Sequence, residues 1–371
     1  MISPSAFLKR LAAQGVDLIT GVPDSLLGHL CACIETDASG MRHIVAANEG
    51  NAMAIALGHH LATGRFAAVY MQNSGLGNAI NPLTSLLDAE VYRVPALLLV
   101  GWRGEPGVPD EPQHVKQGRI TPGQLELLGI PYWILDAGCA PDTVLDEALA
   151  RIRQTGAPVA LLIRKNTFAR ECEVPPPPRA ATLRREEALE RILDLAGDAL
   201  VIATTGKTSR ELFELRSRRH EPQRDFLTVG GMGHASSIAL GVALARPERD
   251  VICLDGDGAV LMHMGALATI GQQRPGNLVH VLLNNASHES VGGQPTVADR
   301  IDFEALAIGC GYGSFLRAAD AAGLRDAWHA MARMPRPVLL QIDIATGSRQ
   351  DLGRPTRTPE ENKRAFMENG A

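Results

Sequence analysis

Asp255-Gly256-Asp257-Gly258-Ala259 closes an apolar run over 251–254 and opens a helical pattern, while a second apolar run over 278–283 ends in Asn284-Asn285. Glycines let the backbone come close to an anion, and amides at a helix start can donate to phosphate oxygens. The interval between Asp257 and Asn285 is about one helix plus one strand, which would place them at neighbouring strand ends. A carboxylate and an amide oxygen converging there suit a hard cation such as Mg2+, held by few protein oxygens plus phosphates and water.

Other residues of chemical interest also follow apolar runs. Glu49 stands after the run at 43–47 and before the small apolar residues Ala52, Met53, Ala54, Ile55, Ala56, Leu57 and Gly58. It reads either as a helix cap, where acids are favoured, or as a dry carboxyl suited to sharing a proton. Met232, flanked by Gly231 and Gly233, sits on a turn where a core side chain is out of place. Thr205, Gly206 and Thr208 follow another apolar run and could reach phosphate. Arg103, Lys116, Arg119, Lys207, Arg210, Arg349 and Arg354 are candidate anion contacts, since guanidinium in particular bonds carboxylate or phosphonate in pairs. His114 and His288 are candidate proton carriers, because imidazole titrates near neutrality.

The elements that must position these residues are short runs apolar throughout, alternating with helical patterns. Such runs imply strands buried on both faces, hence parallel sheets covered by helices. The fold class is therefore α/β: two domains, each a mostly parallel sheet flanked by helices, with no middle domain. The boundary is Val174-Pro175-Pro176-Pro177-Pro178-Arg179, because consecutive prolines can join neither a helix nor a central strand. The expected spans are 1–172, a linker over 173–183, and 184–371. Polar and glycine residues gather after the runs of both halves, where open α/β sheets bind ligands.

Bulk properties exclude several classes. A net charge of −5 and 4% aromatic residues argue against nucleic acid. No uncharged apolar run is long enough for a bilayer, and the opening residues lack the apolar stretch of a signal peptide, so a cytoplasmic protein is expected. The six cysteines are scattered, and Cys31 and Cys33 are too close to form a disulfide framework, so all six are expected to be structural thiols of a reducing compartment.

Gly256-Asp257-Gly258 followed at this interval by Asn284-Asn285 resembles the thiamine diphosphate signature of the pyruvate decarboxylase superfamily. The resemblance implies that Asp257 and Asn285 ligate Mg2+, with the backbone carbonyl of Ser287 as third ligand. It implies that Gly256, Gly258 and Ala259 lie against the diphosphate, and that Met232, beside Gly231, props the cofactor in a bent shape. Glu49 would activate the pyrimidine ring, and Asp24 would be the acid beside the substrate. The pyrimidine half of the cofactor is held by one subunit in that superfamily and the diphosphate half by another, which implies a homodimer or larger homo-oligomer.

The motifs Gly21-Val22-Pro23-Asp24-Ser25, Gln72-Asn73-Ser74-Gly75-Leu76-Gly77-Asn78, Asp110-Glu111-Pro112-Gln113-His114 and Ser290-Val291-Gly292-Gly293-Gln294-Pro295-Thr296, with the short two-domain layout, resemble the phosphonopyruvate and sulfopyruvate decarboxylase family. That implies loss of CO2 from a small anionic 2-oxo acid through an ylid and an enamine of the cofactor. Ser25, Asn73, Arg103, Lys116, Gln294 and Arg349 would touch the substrate. Phosphonate is the first choice and sulfonate the alternative. A dinucleotide-dependent dehydrogenase is disfavoured, since no Gly-x-Gly-x-x-Gly follows the opening apolar run at 17–22. A catalytically dead assembly subunit stays open. The polar segment 347–355 is expected to be a lid or clasp, or else a frayed tail.

Overall fold

The computed structural model describes residues 1–36, 40–174 and 180–370. The chain divides into two compact units, Met1–Pro175 with Ser290–Gln294 and Pro176–Glu289 with Pro295–Ala371. The expected linker over 173–183 falls partly on residues 175–179, which lie outside the described residues.

The first unit holds β1 (Leu18–Gly21), β2 (Arg42–Val45), β3 (Ala67–Gln72), β4 (Ala96–Gly101), β5 (Tyr132–Leu135) and β6 (Val159–Ile163). They form one sheet in the order β2-β1-β3-β4-β6-β5, and every pairing is parallel. Side chains alternate across the pleat and feed two cores. Ala68, Tyr70, Leu97 and Leu99 pack on one face, and Val69, Met71, Leu98 and Val100 on the other. Burying each leucine contributes about 1.5–3 kcal/mol, which is why the central strands are continuously apolar. The helix Glu49–Thr63 starts where the Asn48 side chain accepts from Asn51 N and stops at Gly64, whose φ of 71° is left-handed.

The second unit repeats the plan with β7 (Leu200–Ala203), β8 (Phe226–Leu227), β9 (Val251–Gly256), β10 (Leu278–Asn284), β11 (Ser314–Ala318) and β12 (Val338–Asp343). The order is β11-β12-β10-β9-β7-β8, again parallel throughout. Two buried clusters line its faces, one around Leu254, Val281 and Leu340 and the other around Cys253, Leu282 and Leu339. The expected α/β architecture is thus present in both units, with no middle domain. No helix among the described residues is long and apolar enough to cross a membrane.

The cysteine expectation needs correction. Cys33 and Cys172 form a disulfide with a Cα–Cα distance of 5.1 Å across a sequence separation of 139, whereas Cys31, Cys139, Cys253 and Cys310 are free thiols. Spacing along the chain could not reveal this pair, because the fold alone brings the helix Gly28–Glu35 to the segment that follows β6.

Candidate active site

In the second unit, the register of β9 and β10 pairs Gly256 with Leu283, so Asp257 and Asn284-Asn285 leave the sheet side by side at its carboxyl end. Asp257, Asn285 and Ser287 are all buried. Thr296 ties them together: its hydroxyl donates to Asp257 Oδ2 at 2.5 Å, and its backbone N–H donates to Ala286 O at 2.9 Å. Asn285 Oδ1 accepts from Ser287 N at 3.0 Å, and Asn285 Nδ2 donates to Glu289 Oε2 at 2.9 Å. A buried carboxylate, an amide oxygen and a backbone carbonyl are hard oxygen donors, so this donor set fits Mg2+.

Around this turn lie the other residues expected to meet the cofactor. Gly230, Gly231 and Gly233 all have left-handed φ, which glycine adopts without the steric cost a Cβ brings. The turn holds Met232 half-buried, outside any core. A side-chain carbon on Gly258 would lie 3.0 Å from His288 Nδ1 and 3.3 Å from Met232 Cε, so Met232 and His288 both close over Gly258. Burial pushes the His288 imidazole down to about 4. Ala259 is buried in the same turn, Gly256 precedes the helix Asp257–Met262, and Thr205 Oγ1 accepts from Gly230 N at 3.1 Å. Gly206 caps the helix Lys207–Arg218, in whose first turn Thr208 is buried.

In the first unit, Glu49 is the opening residue of its helix and is buried. Asn78 Nδ2 donates to Glu49 Oε2 at 2.8 Å, and a side-chain carbon on Gly75 would come within 2.4 Å of Glu49 Oε1. Any residue larger than glycine at 75 would displace the carboxyl.

Asp24, fully buried after β1, lies against the end of β4: a side-chain carbon on Gly101 would come within 2.2 Å of Asp24 Oδ2. Burial pushes the Asp24 carboxyl up to about 6, against the opposing pull of Arg103 and of the Leu26, Leu27 and Ser25 amides, although neither carboxyl oxygen makes a well-formed hydrogen bond among the described residues. Arg103 is held by Asp110, with Nε at 2.8 Å from Oδ2, and its Nη1 donates to Ser25 Oγ at 2.8 Å. The buried His114 imidazole is pushed down to about 4, first by burial and then by Arg103. Gln294 is fully buried and counted with this unit, and its amide makes no hydrogen bond among the described residues.

Three further expected substrate contacts have the following surroundings. The Asn73 amide is committed to the Arg103 loop, donating to Arg103 O at 2.8 Å and Thr121 Oγ1 at 2.9 Å, so it acts on Arg103 through the backbone. Lys116 is exposed on the helix Pro112–Leu127. Arg349 is engaged by Glu186, Glu214 and Asp351, and Arg210 donates to Leu352 O and Gly353 O. Segment 349–353 is thereby clasped to the second unit's own helices. Asp110, Glu289, Thr296 and Asn78 carry clear positional roles that sequence reasoning did not single out. Their signal was present only as membership in the quoted motifs, or, for Glu289, as a place between the Asn-Asn pair and Ser290.

The chain matches the family described as thiamine pyrophosphate enzyme, N-terminal TPP binding domain, over residues 4–125, and its C-terminal TPP binding domain over residues 204–342. It is 40% identical to a phosphonopyruvate decarboxylase of Streptomyces viridochromogenes, with 99% of this chain and 94% of that protein covered. It is 29% identical to a sulfopyruvate decarboxylase of Methanosarcina acetivorans over 99% of this chain and 98% of the relative. A sulfopyruvate decarboxylase subunit beta of Methanothermobacter thermautotrophicus is 42% identical over 45% of this chain and 84% of its own length.

Proposed function

The chain belongs to the thiamine pyrophosphate enzyme family, and from that premise we propose that it decarboxylates 3-phosphonopyruvate to phosphonoacetaldehyde and CO2 in phosphonate biosynthesis. Its cofactors are thiamine diphosphate and Mg2+. The observation that carries the substrate reading is the 40% identity, extending over 99% of the chain, to a phosphonopyruvate decarboxylase. The geometry agrees with it: a buried acid, Asp24, lies beside an arginine, Arg103, that Asp110 holds in place.

When bound, thiamine diphosphate supplies the carbanion that attacks the 2-oxo carbon and the sink for the electrons that CO2 leaves behind. The protein's residues do the rest. Asp257, Asn285 and the Ser287 carbonyl would hold Mg2+; amides of Gly258 and Ala259, with Thr205, Gly206 and Thr208, would bind the diphosphate; Met232, beside Gly231, would support the cofactor from below. Glu49, its carboxyl aimed by Asn78, would be the group to share a proton with the pyrimidine ring nitrogen. Arg103, with Ser25, binds an anionic end of the substrate in the manner suited to guanidinium. Asp24, His114 and His288 are the candidates to hold or move a proton during the reaction, and Gln294 is a candidate to contribute a buried amide. The working assembly is a homodimer or larger, with the first unit of one subunit serving the second unit of another, and it resides in the cytoplasm.

The full-length likeness to a sulfopyruvate decarboxylase keeps sulfonate as the second reading. The test is turnover by metal-stripped protein, with thiamine diphosphate and Mg2+ added back separately, on both acids. The expected result is CO2 release from phosphonopyruvate only when both cofactors are present. A higher kcat/KM for sulfopyruvate would overturn the substrate assignment.

A further inference from the structure

The Asn285 carboxamide can serve a cation only with its oxygen forward, and the two ends of an amide differ by one acceptor against two donors. Something must therefore choose its orientation. Ser287 N donates to Asn285 Oδ1 at 3.0 Å, and Glu289 Oε2 lies 2.9 Å from Asn285 Nδ2; an ionised carboxylate can only accept, so Glu289 is the side chain that fixes the NH2 end.

Glu289 is itself immobilised from three directions. Arg185 Nη1 donates to Oε2 at 2.8 Å, Lys207 Nζ to Oε1 at 3.0 Å and Gly347 N to Oε1 at 3.1 Å. Arg185 is buried and gripped through two 2.8 Å bonds by the buried Glu211. Two cations thus neutralise Glu289 and hold its carboxylate on the amide side of Asn285.

We propose that Glu289 is a positioning residue that sets the rotamer of Asn285 and thereby the affinity of the site for Mg2+, an inference that rests on the reading of Asp257 and Asn285 as metal ligands. Partners that orient metal ligands typically change metal affinity by about 10–100-fold when removed. A residue that merely closed an ion-pair network would alter stability and leave that affinity alone.

The experiment is titration of the metal-stripped, full-length protein with Mg2+ by calorimetry, and with Mn2+ by loss of the free-ion paramagnetic resonance signal, at saturating thiamine diphosphate. Glu289→Ala is expected to raise the dissociation constant of both ions about 10–100-fold. Glu289→Gln, which keeps the shape but can face Asn285 with either end of its amide, is expected to shift it the same way and covers the case in which the alanine variant does not fold. Glu214→Gln, which loosens the neighbouring Arg349 pairs without touching Asn285, is expected to bind both ions as the wild type does. Wild-type metal affinity in both Glu289 variants, whatever happens to the melting temperature, overturns the proposal. Wild-type affinity in Asp257→Ala overturns the ligand assignment beneath it, so the two failures are told apart.

Discussion

The Asn78 side-chain amide donates to Glu49 Oε2 at 2.8 Å, across the gap between two helices of the first unit. Gly75 leaves the room that the carboxyl occupies. Glu49 is therefore held in one rotamer by a neutral donor. Glu49→Gln is expected to lower kcat by about 10²–10⁴-fold, the usual range for a proton-transferring side chain, while cofactor still binds. Asn78→Ala, which loosens the rotamer and leaves the carboxyl in place, is expected to cost less, on the order of tenfold. Turnover of Glu49→Gln equal to that of the wild type, with cofactor bound, would remove Glu49 from the mechanism.

Two buried groups of the first unit titrate in opposing senses. Asp24 is raised to about 6 by burial, so the folded state holds its proton more tightly than the unfolded chain. Its contribution is fully present below the unfolded value of 3.8 and is lost as pH rises through about 6. His114 is lowered to about 4, so its contribution is present above the unfolded value of 6.5 and is lost as pH falls toward 4. Between pH 4 and 6 their opposing slopes nearly cancel. Asp24→Asn is therefore expected to become more acid-sensitive than the wild type, and His114→Gln less so. Melting temperatures recorded between pH 4 and 7 check this, and parallel curves for all three proteins would contradict it.

Much of the candidate site could be read before the fold was known, for a physical reason. Strands buried on both faces must be apolar from end to end, so the first polar residues after each run mark the carboxyl ends of the sheets. Asp24, Glu49, Arg103, Asp257 and Asn285 all stand at such ends. What stayed hidden depends on partners far away in the chain. Arg349 looked like any loop cation, and only the fold shows Glu186 and Glu214 beside it. Cys33 meets Cys172 and Asn73 turns to Thr121 for the same reason: spacing carries no signal for contacts that the three-dimensional path creates.

Asp110 accepts from Arg103 Nε at 2.8 Å and also takes the Gly104 and Glu111 amides, each at 2.8 Å. It thus fixes both the guanidinium and the loop that carries it. Asp110→Asn keeps one acceptor and loses the paired contact, and a hydrogen bond to a charged group is worth about 1.5–3 kcal/mol. KM for phosphonopyruvate is expected to rise about 10–100-fold with a smaller change in kcat, and Arg103→Lys should behave alike, since an ammonium cannot make the forked contact. Steady-state kinetics decide it. An unchanged KM in both variants would place substrate recognition elsewhere.

Thr296 connects the two strand ends that bear the proposed metal ligands, its hydroxyl on Asp257 Oδ2 and its amide on Ala286 O. That bond ties one carboxylate oxygen of Asp257 to Thr296 and so fixes the side chain's rotamer. Thr296→Val keeps shape and backbone pairing but removes the hydroxyl, leaving the buried carboxylate to rotate. Losing one charge-assisted bond of about 1.5–3 kcal/mol corresponds to roughly a tenfold or greater weakening. Mg2+ affinity at saturating thiamine diphosphate is expected to fall by that amount in Thr296→Val and to recover in Thr296→Ser, which restores the donor. Calorimetric titration of the three proteins is the check. A valine variant that binds Mg2+ as tightly as the wild type would show that Asp257 is aimed by its own helix alone.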